Sequence, residues 1–255
     1  MDDTINREMA QQFFEQMMAL FVEPEVQRRK KTGEISDTFV LHGVQIVFYP
    51  DGQEPDVRLN HEVRAIAKIK LKEGVIKQPR EPIYQSEIER FDQIVLADPE
   101  DADCGHATIV RINEAAWTLS FDFVYNKALS KIHLDRAEAF LKSAELNLVS
   151  ENWPPFADNL FSACELIAKA ILLGMPDPKF RQKASHAGIQ LKFNKFADLG
   201  NVKDDVRVAL NKLSGMRTTA RYLKGGEFKL ANKEAEEYLA TVREMKQHAE
   251  IRISR

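Results

Sequence analysis

Apolar residues recur along this chain first at helical spacing, then in alternation, then at helical spacing again. Ile5, Met9, Phe13, Met17, Leu20 and Phe21 share one stripe, with Arg7, Gln11, Gln12, Glu15 and Gln16 elsewhere on the wheel. They predict an amphipathic first helix. Its polar positions lack the basic residues that interfacial helices present to lipid, so it is expected to pack on the next domain and not on a membrane. The run Gln27, Arg28, Arg29, Lys30, Lys31, Thr32, Gly33 ends it and reads as a solvated linker, with a phosphate contact as the lesser reading.

From about Phe39 to Asn126 the period falls to two. Val44, Ile46 and Phe48 alternate with their neighbours, as do Val63, Ala65, Ala67, Ile69 and Leu71, and then Trp117, Leu119, Phe121 and Phe123. Turn chemistry separates them at Pro50-Asp51-Gly52, at Lys72-Glu73-Gly74 and in the acidic stretch Asp98 to Gly105. The expected unit is a small, mostly antiparallel β domain carrying the first helix. Arg64, Lys68, Lys70 and Lys72 line one face of the second strand; with no aromatics interleaved, a solvated edge is preferred to a phosphate track.

Beyond this the helical period returns five times. Asp135 with Glu138 resembles a capping box before Ala137, Phe140, Leu141, Ala144 and Leu148. Pro154 and Pro155 suit the opening of a second helix, whose Leu160, Phe161, Cys164, Ile167, Ala168 and Ile171 face a core and which Gly174 and Pro176 stop. A third runs from Ser185 through Phe196 to Gly200. The fourth spans about 202 to 223, with Val206, Leu210, Leu213 and Ala220 inward, before Gly225 and Gly226. Asn232 caps a fifth through Ala235, Leu239, Val242 and Met245. The fold expected is therefore α+β: a helix and β domain over 1–131, then a five-helix bundle over 132–255.

Charge divides the same way. Residues 1 to 134 hold 16 Lys and Arg against 23 Asp and Glu, a balance of −7, and residues 135 to 255 hold 20 against 16, a balance of +4. An anionic partner is thus expected at the C-terminal half. The first residues are acidic and polar, unlike a secretory signal, and no stretch has the roughly 18 consecutive apolar residues of a membrane span, so a cytoplasmic protein without a membrane partner is expected. Cys104 and Cys164 form no metal-type pair, and no metal or cofactor is called for. His106 and His133 have no partner pattern and read as surface or strand-end residues. No phosphate-binding glycine loop, H-E-x-x-H or G-x-S-x-G occurs, which disfavours the enzyme classes built on them.

The succession DRAEAFLKSAELNL, FADNLFSACELIAKAILL, KASHAGIQLKF, LNKLSGMRTTARY and a last long helix resembles the HEPN family, the nucleotide-binding domain of higher eukaryotes and prokaryotes, over about residues 132–250. Its most specific pieces are Phe161, Ala163 or Cys164, and Glu165 in the second helix, and the Arg217-x-x-Ala-Arg-Tyr end of the fourth. The resemblance does not extend into the N-terminal half. It implies a bundle pairing into a homodimer through these helices, with nucleotide or RNA chemistry in the cleft. Many members are metal-independent ribonucleases that use an arginine followed, four to six residues on, by a histidine. Here Arg217 and Thr218 match the start of that motif, Tyr222 stands in the histidine's place, and the next histidine is His248. A tyrosine of pKa about 10 is a poor base at neutral pH, which favours binding over cleavage.

Arg217 and Arg221 are four apart on one helix face and need an anion. In one reading it is a phosphate, held by Arg217, Arg221 and Lys224 with Thr218 and Tyr222 as hydrogen-bonding neighbours. In the other it is Glu165 or Asp158 of the second helix, and the cluster is an ion-pair network of the fold. His186 most simply caps or packs, yet it is the one imidazole available to replace the missing histidine if the fold brings it beside Arg217. Three functions follow: a non-catalytic nucleotide or RNA binder; a ribonuclease of a toxin–antitoxin or phage-defence kind, using Arg217 with Tyr222 or His186; or an interaction module in which the β domain meets a protein partner and the bundle dimerises.

Overall fold

The computed structural model describes residues 3–113, 116–178, 185–222 and 228–254, with the side chains of 3–7 and of Tyr222 outside the description. The chain divides into two compact units, Met1–Phe123 and Val124–Arg255.

In the first unit, helix α1 (Asp3–Met17) runs through one π-helical turn, Met18–Val22, into α2 (Glu23–Thr32). Phe13, Phe14, Met17, Met18, Phe21 and Val22 pack on Val44, Ile46, Leu59, Ala107 and Ile109. Ring contacts fasten this face, Phe13 on Phe121 at 4.8 Å and Phe21 on Phe48 at 5.4 Å. The basic run expected as a linker is instead the last turns of α2. Cations are favoured at a helix C-terminus, and these have partners: Arg28 binds Glu25 and Glu34, and Arg29 binds Glu25 and Glu62. Gly33, at φ 77°, is the left-handed residue that stops the helix.

The strands β1 (Gly43–Phe48), β2 (Asp56–Leu59), β5 (Gly105–Arg111) and β6 (Trp117–Asp122) form an antiparallel sheet in the order β2-β1-β5-β6, and β3 (Ala65–Leu71) pairs with β4 (Ile88–Leu96) in a second, two-stranded one. Lys68, Lys70 and Lys72 are exposed, with Lys70 paired to Glu89 at 2.8 Å. The acidic stretch before β5 is not only a solvated turn. Asp101 is buried and takes Arg58 at 2.6 Å, while Gln45, fully buried on β1, accepts from Arg58 and holds the backbone of Arg64 through both ends of its amide. His106, the second residue of β5, stands at a strand end, one of the two places expected for it, but is buried and not on the surface, its Nδ1 3.0 Å from the Thr108 hydroxyl.

The second unit is a bundle of α3 (Lys127–Val149), α4 (Trp153–Leu173), α5 (His186–Asp198), α6 (Asp204–Tyr222) and α7 (Asn232–Ile253). Helix α3 begins eight residues before Asp135. Asp135 is therefore mid-helix, paired with Lys131, and Glu138 reaches Arg243 of α7 at 2.7 Å instead of closing a capping box. The early start explains why the division falls ahead of residue 131: Ser130, His133 and Leu134 are buried, and the Ser130 hydroxyl donates to the carbonyl of Ala170. His133, expected near the surface, is among them. Its burial, with Lys169 and Arg136 nearby, pushes its pKa down to about 4.

Helix α4 is the central element of the bundle. Phe156, Leu160, Ala163, Cys164, Ile167, Ala168, Ile171 and Leu172 are all buried, and Gly174 follows the last turn. Val206, Leu210 and Leu213 of α6 and Val242 and Met245 of α7 complete the same core. Neither thiol is poised for reaction, since burial pushes Cys104 up to about 11 and Cys164 up to about 12. Among the described residues, no helix is long and apolar enough to cross a membrane.

Candidate anion site on the helical bundle

With most of α4 committed to the core, the stripe formed by Asp158, Phe161 and Glu165, at i, i+3 and i+7, meets α5 and α6. Arg217 and Arg221 stand one turn apart near the end of α6. Ser185 caps α5 by accepting from the Gly188 N–H at 3.1 Å, which makes His186 the first helical residue.

One carboxylate serves both arginines. Arg217 donates from Nε to Asp158 Oδ1 at 3.0 Å, and Nη2 of Arg221 lies 3.4 Å from Oδ2. Asp158 therefore supplies the anion that the two cations need, and Glu165 does not. Arg217 is also held over the ring of Phe161, its Cζ 5.0 Å from the centroid, so its plane is fixed by a buried aromatic as well as by the ion pair. Its side chain is 18% exposed, against 47% for Arg221 and 28% for Asp158. Among the described residues the Nη groups of Arg217 have no hydrogen-bond acceptor.

The same Phe161 ring lies 6.1 Å from the His186 imidazole, whose Nδ1 is 2.5 Å from Glu165 Oε1. A carboxylate can only accept, so Nδ1 carries the proton and Nε2 is the nitrogen left for another partner. His186 is 63% exposed and Glu165 only 12%. The arrangement is an oriented imidazole presented to solvent by a nearly buried carboxylate. Phe161 thus joins two groups distant in sequence, the paired arginines and the His186–Glu165 dyad.

The remaining sequence candidates fall differently. Thr218 is exposed and donates to the Ser214 carbonyl inside its own helix at 3.2 Å. Tyr222 is the last residue of α6, its side chain outside the described atoms, and Lys224 lies outside the described residues. Sequence reasoning missed a polar seam beside the site. The Gln190 amide donates to Asn211 Oδ1 at 2.6 Å, Asn194 and Asn211 exchange hydrogen bonds, and Ser214 donates to Gln190. The signal was there, because polar residues at 190 and 194, and again at 211 and 214, interrupt otherwise apolar helical stripes. A cavity of about 380 Å³ opens elsewhere on the bundle, between Val206, Met245 and Arg252, and neither the arginine pair with Asp158 nor the His186–Glu165 dyad lines it.

No curated protein matches the chain. A family model, that of the HEPN domain, matches residues 130–252, and the N-terminal half has no family match. The C-terminal half of this chain is a HEPN domain.

Proposed function

We propose that the bundle binds a phosphate of a nucleotide or RNA at Arg217 and Arg221, without cleaving it. The observation that carries this reading is the imbalance of charge: two guanidinium groups share the single carboxylate of Asp158, and the Nη donors of Arg217 are turned to no acceptor among the described residues. Arginine forks suit phosphate oxygens, and Phe161 keeps one fork in place before any ligand arrives. Tyr222, Thr218 and Lys224 border this point in sequence and join the binding surface in this reading. Pairing of two bundles into a homodimer belongs to the same proposal, as does a cytoplasmic setting.

The test is binding of short RNA and of nucleotides at low salt, where phosphate contacts are strongest. Arg217→Glu abolishes binding and leaves the helical content and melting of the bundle near those of the unaltered protein. An Arg217→Ala protein that unfolds more readily but binds as before would assign the cluster to the fold alone.

A second reading is favoured by one specific contact. The His186–Glu165 dyad has the form of a general base or acid, which the Arg-x4-6-Tyr sequence lacks. In it, His186 Nε2 takes the 2′-hydroxyl proton of RNA, that oxygen attacks the adjacent phosphorus, the 5′-oxygen leaves with a proton from water, and Arg217 holds the phosphoryl oxygens. RNA degradation in EDTA that persists in Arg217→Ala would dispose of it.

A further inference from the structure

We propose that Asp158 makes this site selective for a terminal phosphate, a phosphomonoester, over the internal phosphodiesters of a nucleic-acid chain. The inference rests on the phosphate-binding reading above.

Asp158 already occupies the arginine pair as a two-oxygen anion would, with one oxygen 3.0 Å from Arg217 and the other 3.4 Å from Arg221. Any ligand must either displace this carboxylate or bind beside it. A phosphodiester carries a single negative charge. Displacing Asp158 with it exchanges one monoanion for another, gains no charge at the guanidinium groups and leaves the carboxylate without its partners. Binding beside Asp158 sets the diester next to a carboxylate, with only one net positive charge to share.

A phosphomonoester escapes both limits. It carries about 1.5 to 2 negative charges near neutral pH and has three terminal oxygens. Beside Asp158 it can take the Nη donors of Arg217 that the carboxylate leaves; in place of Asp158 it offers each guanidinium more charge than the carboxylate did. Asp158 is 28% exposed on the second turn of α4, so on displacement it can turn to water and lose only a partly solvated pair. Arg217 does not depend on Asp158 alone for its position, because Phe161 holds its plane. The arginines thus give affinity for phosphate, and the acid between them sets the minimum charge a ligand must bring.

The experiment uses the full chain and 2′-O-methyl hexauridylate, which has no 2′-hydroxyl to attack and so separates binding from cleavage. Three forms are titrated calorimetrically at low salt in EDTA: with a 5′-phosphate, with a 3′-phosphate, and with hydroxyls at both ends. In the unaltered protein at least one phosphorylated end binds about ten-fold tighter than the hydroxyl-ended oligomer, the worth of one further charge-assisted contact. Asp158→Asn, and Asp158→Ala as a second variant should the first melt early, shrink the gap to about two-fold by tightening the hydroxyl-ended form. Asp135→Asn, which removes one negative charge from the exposed part of α3, keeps the gap. Equal binding of all three oligomers, lost in Arg217→Ala, overturns the selectivity and leaves the phosphate site standing. A gap that survives both Asp158 substitutions overturns the role given to Asp158. Binding unchanged in Arg217→Ala, or none in any variant, overturns the phosphate site and this inference with it.

Discussion

Glu165, in the middle of α4, and His186, the first residue of α5, meet through a 2.5 Å contact that fixes which imidazole nitrogen faces outward. The contact is asymmetric in exposure, a nearly buried acid and a largely exposed base. That combination orients a proton-transfer group without burying it. If the bundle cleaves RNA at all, His186→Ala lowers the rate by about 10²- to 10⁴-fold, the usual worth of a general base. Glu165→Gln, which still accepts from Nδ1 but no longer stabilises an imidazolium, lowers it less. The measurement is single-turnover cleavage in EDTA, and a His186→Ala protein that cuts as fast as the unaltered one ends the dyad's claim on catalysis.

In the first unit the strongest single commitment is Arg58 to Asp101. Asp101 is nearly buried, and its 2.6 Å partner is also bonded to Asp56 and Gln45. Removing one member of a buried pair leaves an uncompensated charge and costs more than the pair itself contributes. Arg58→Ala is expected to destabilise this unit by about 2 to 4 kcal/mol. Asp101→Asn costs less, since the amide still accepts a hydrogen bond from the guanidinium and Asp56 remains beside it. The two tryptophans report the units separately, Trp117 in the first and Trp153 in the second. Denaturant titration in a Trp153→Phe background follows the first, and an unchanged midpoint for Arg58→Ala would refute the expectation.

The two halves were legible in the sequence for different reasons and to different depths. The apolar stripe of α4 has a strong 3.6-residue period bounded by Pro154 and Gly174, so its core face could be read almost residue by residue. Strands β1, β3 and β6 showed in their alternation, whereas β2, at four residues, is too short to establish a period, and in β5 the alternation of His106, Ala107, Thr108 and Ile109 lasts only four residues before Val110 breaks it. Misreadings arose where a local signal had a tertiary answer. Arg28 to Lys31 look like a linker until Glu25, Glu34 and Glu62 supply partners, and Asp135 looks like a cap until eight residues of helix precede it. At the candidate site, the spacing of Arg217 and Arg221 announced the need for an anion. Asp158 was one of two acids of the second helix open as that anion, and only the fold, which brings it across 59 residues, decides for it over Glu165; no local pattern couples His186 to Glu165 or sets Phe161 against both.

His133 gives the second unit a dependence on pH that can be predicted in sign. Burial, with Lys169 and Arg136 adding to it, lowers its pKa from 6.5 to about 4, and its Nδ1 has no hydrogen-bond partner among the described residues. Below pH 6.5 the unfolded chain takes up a proton that the folded bundle refuses until about pH 4. The contribution is therefore fully present above pH 6.5 and is lost progressively as the pH falls toward 4. Relaxation of the bundle around the charged ring reduces the ideal value, leaving a loss of about 2 kcal/mol across that window. His133→Leu removes both the titrating group and the unpaired nitrogen. It should be at least as stable as the unaltered protein near neutral pH, with a flatter profile between pH 6.5 and 4.5. Trp153 fluorescence in a Trp117→Phe background, titrated with urea at several pH values, makes the comparison. Parallel profiles for the two proteins would mean that His133 is protonated as readily in the bundle as in the unfolded chain, contrary to the burial seen in α3.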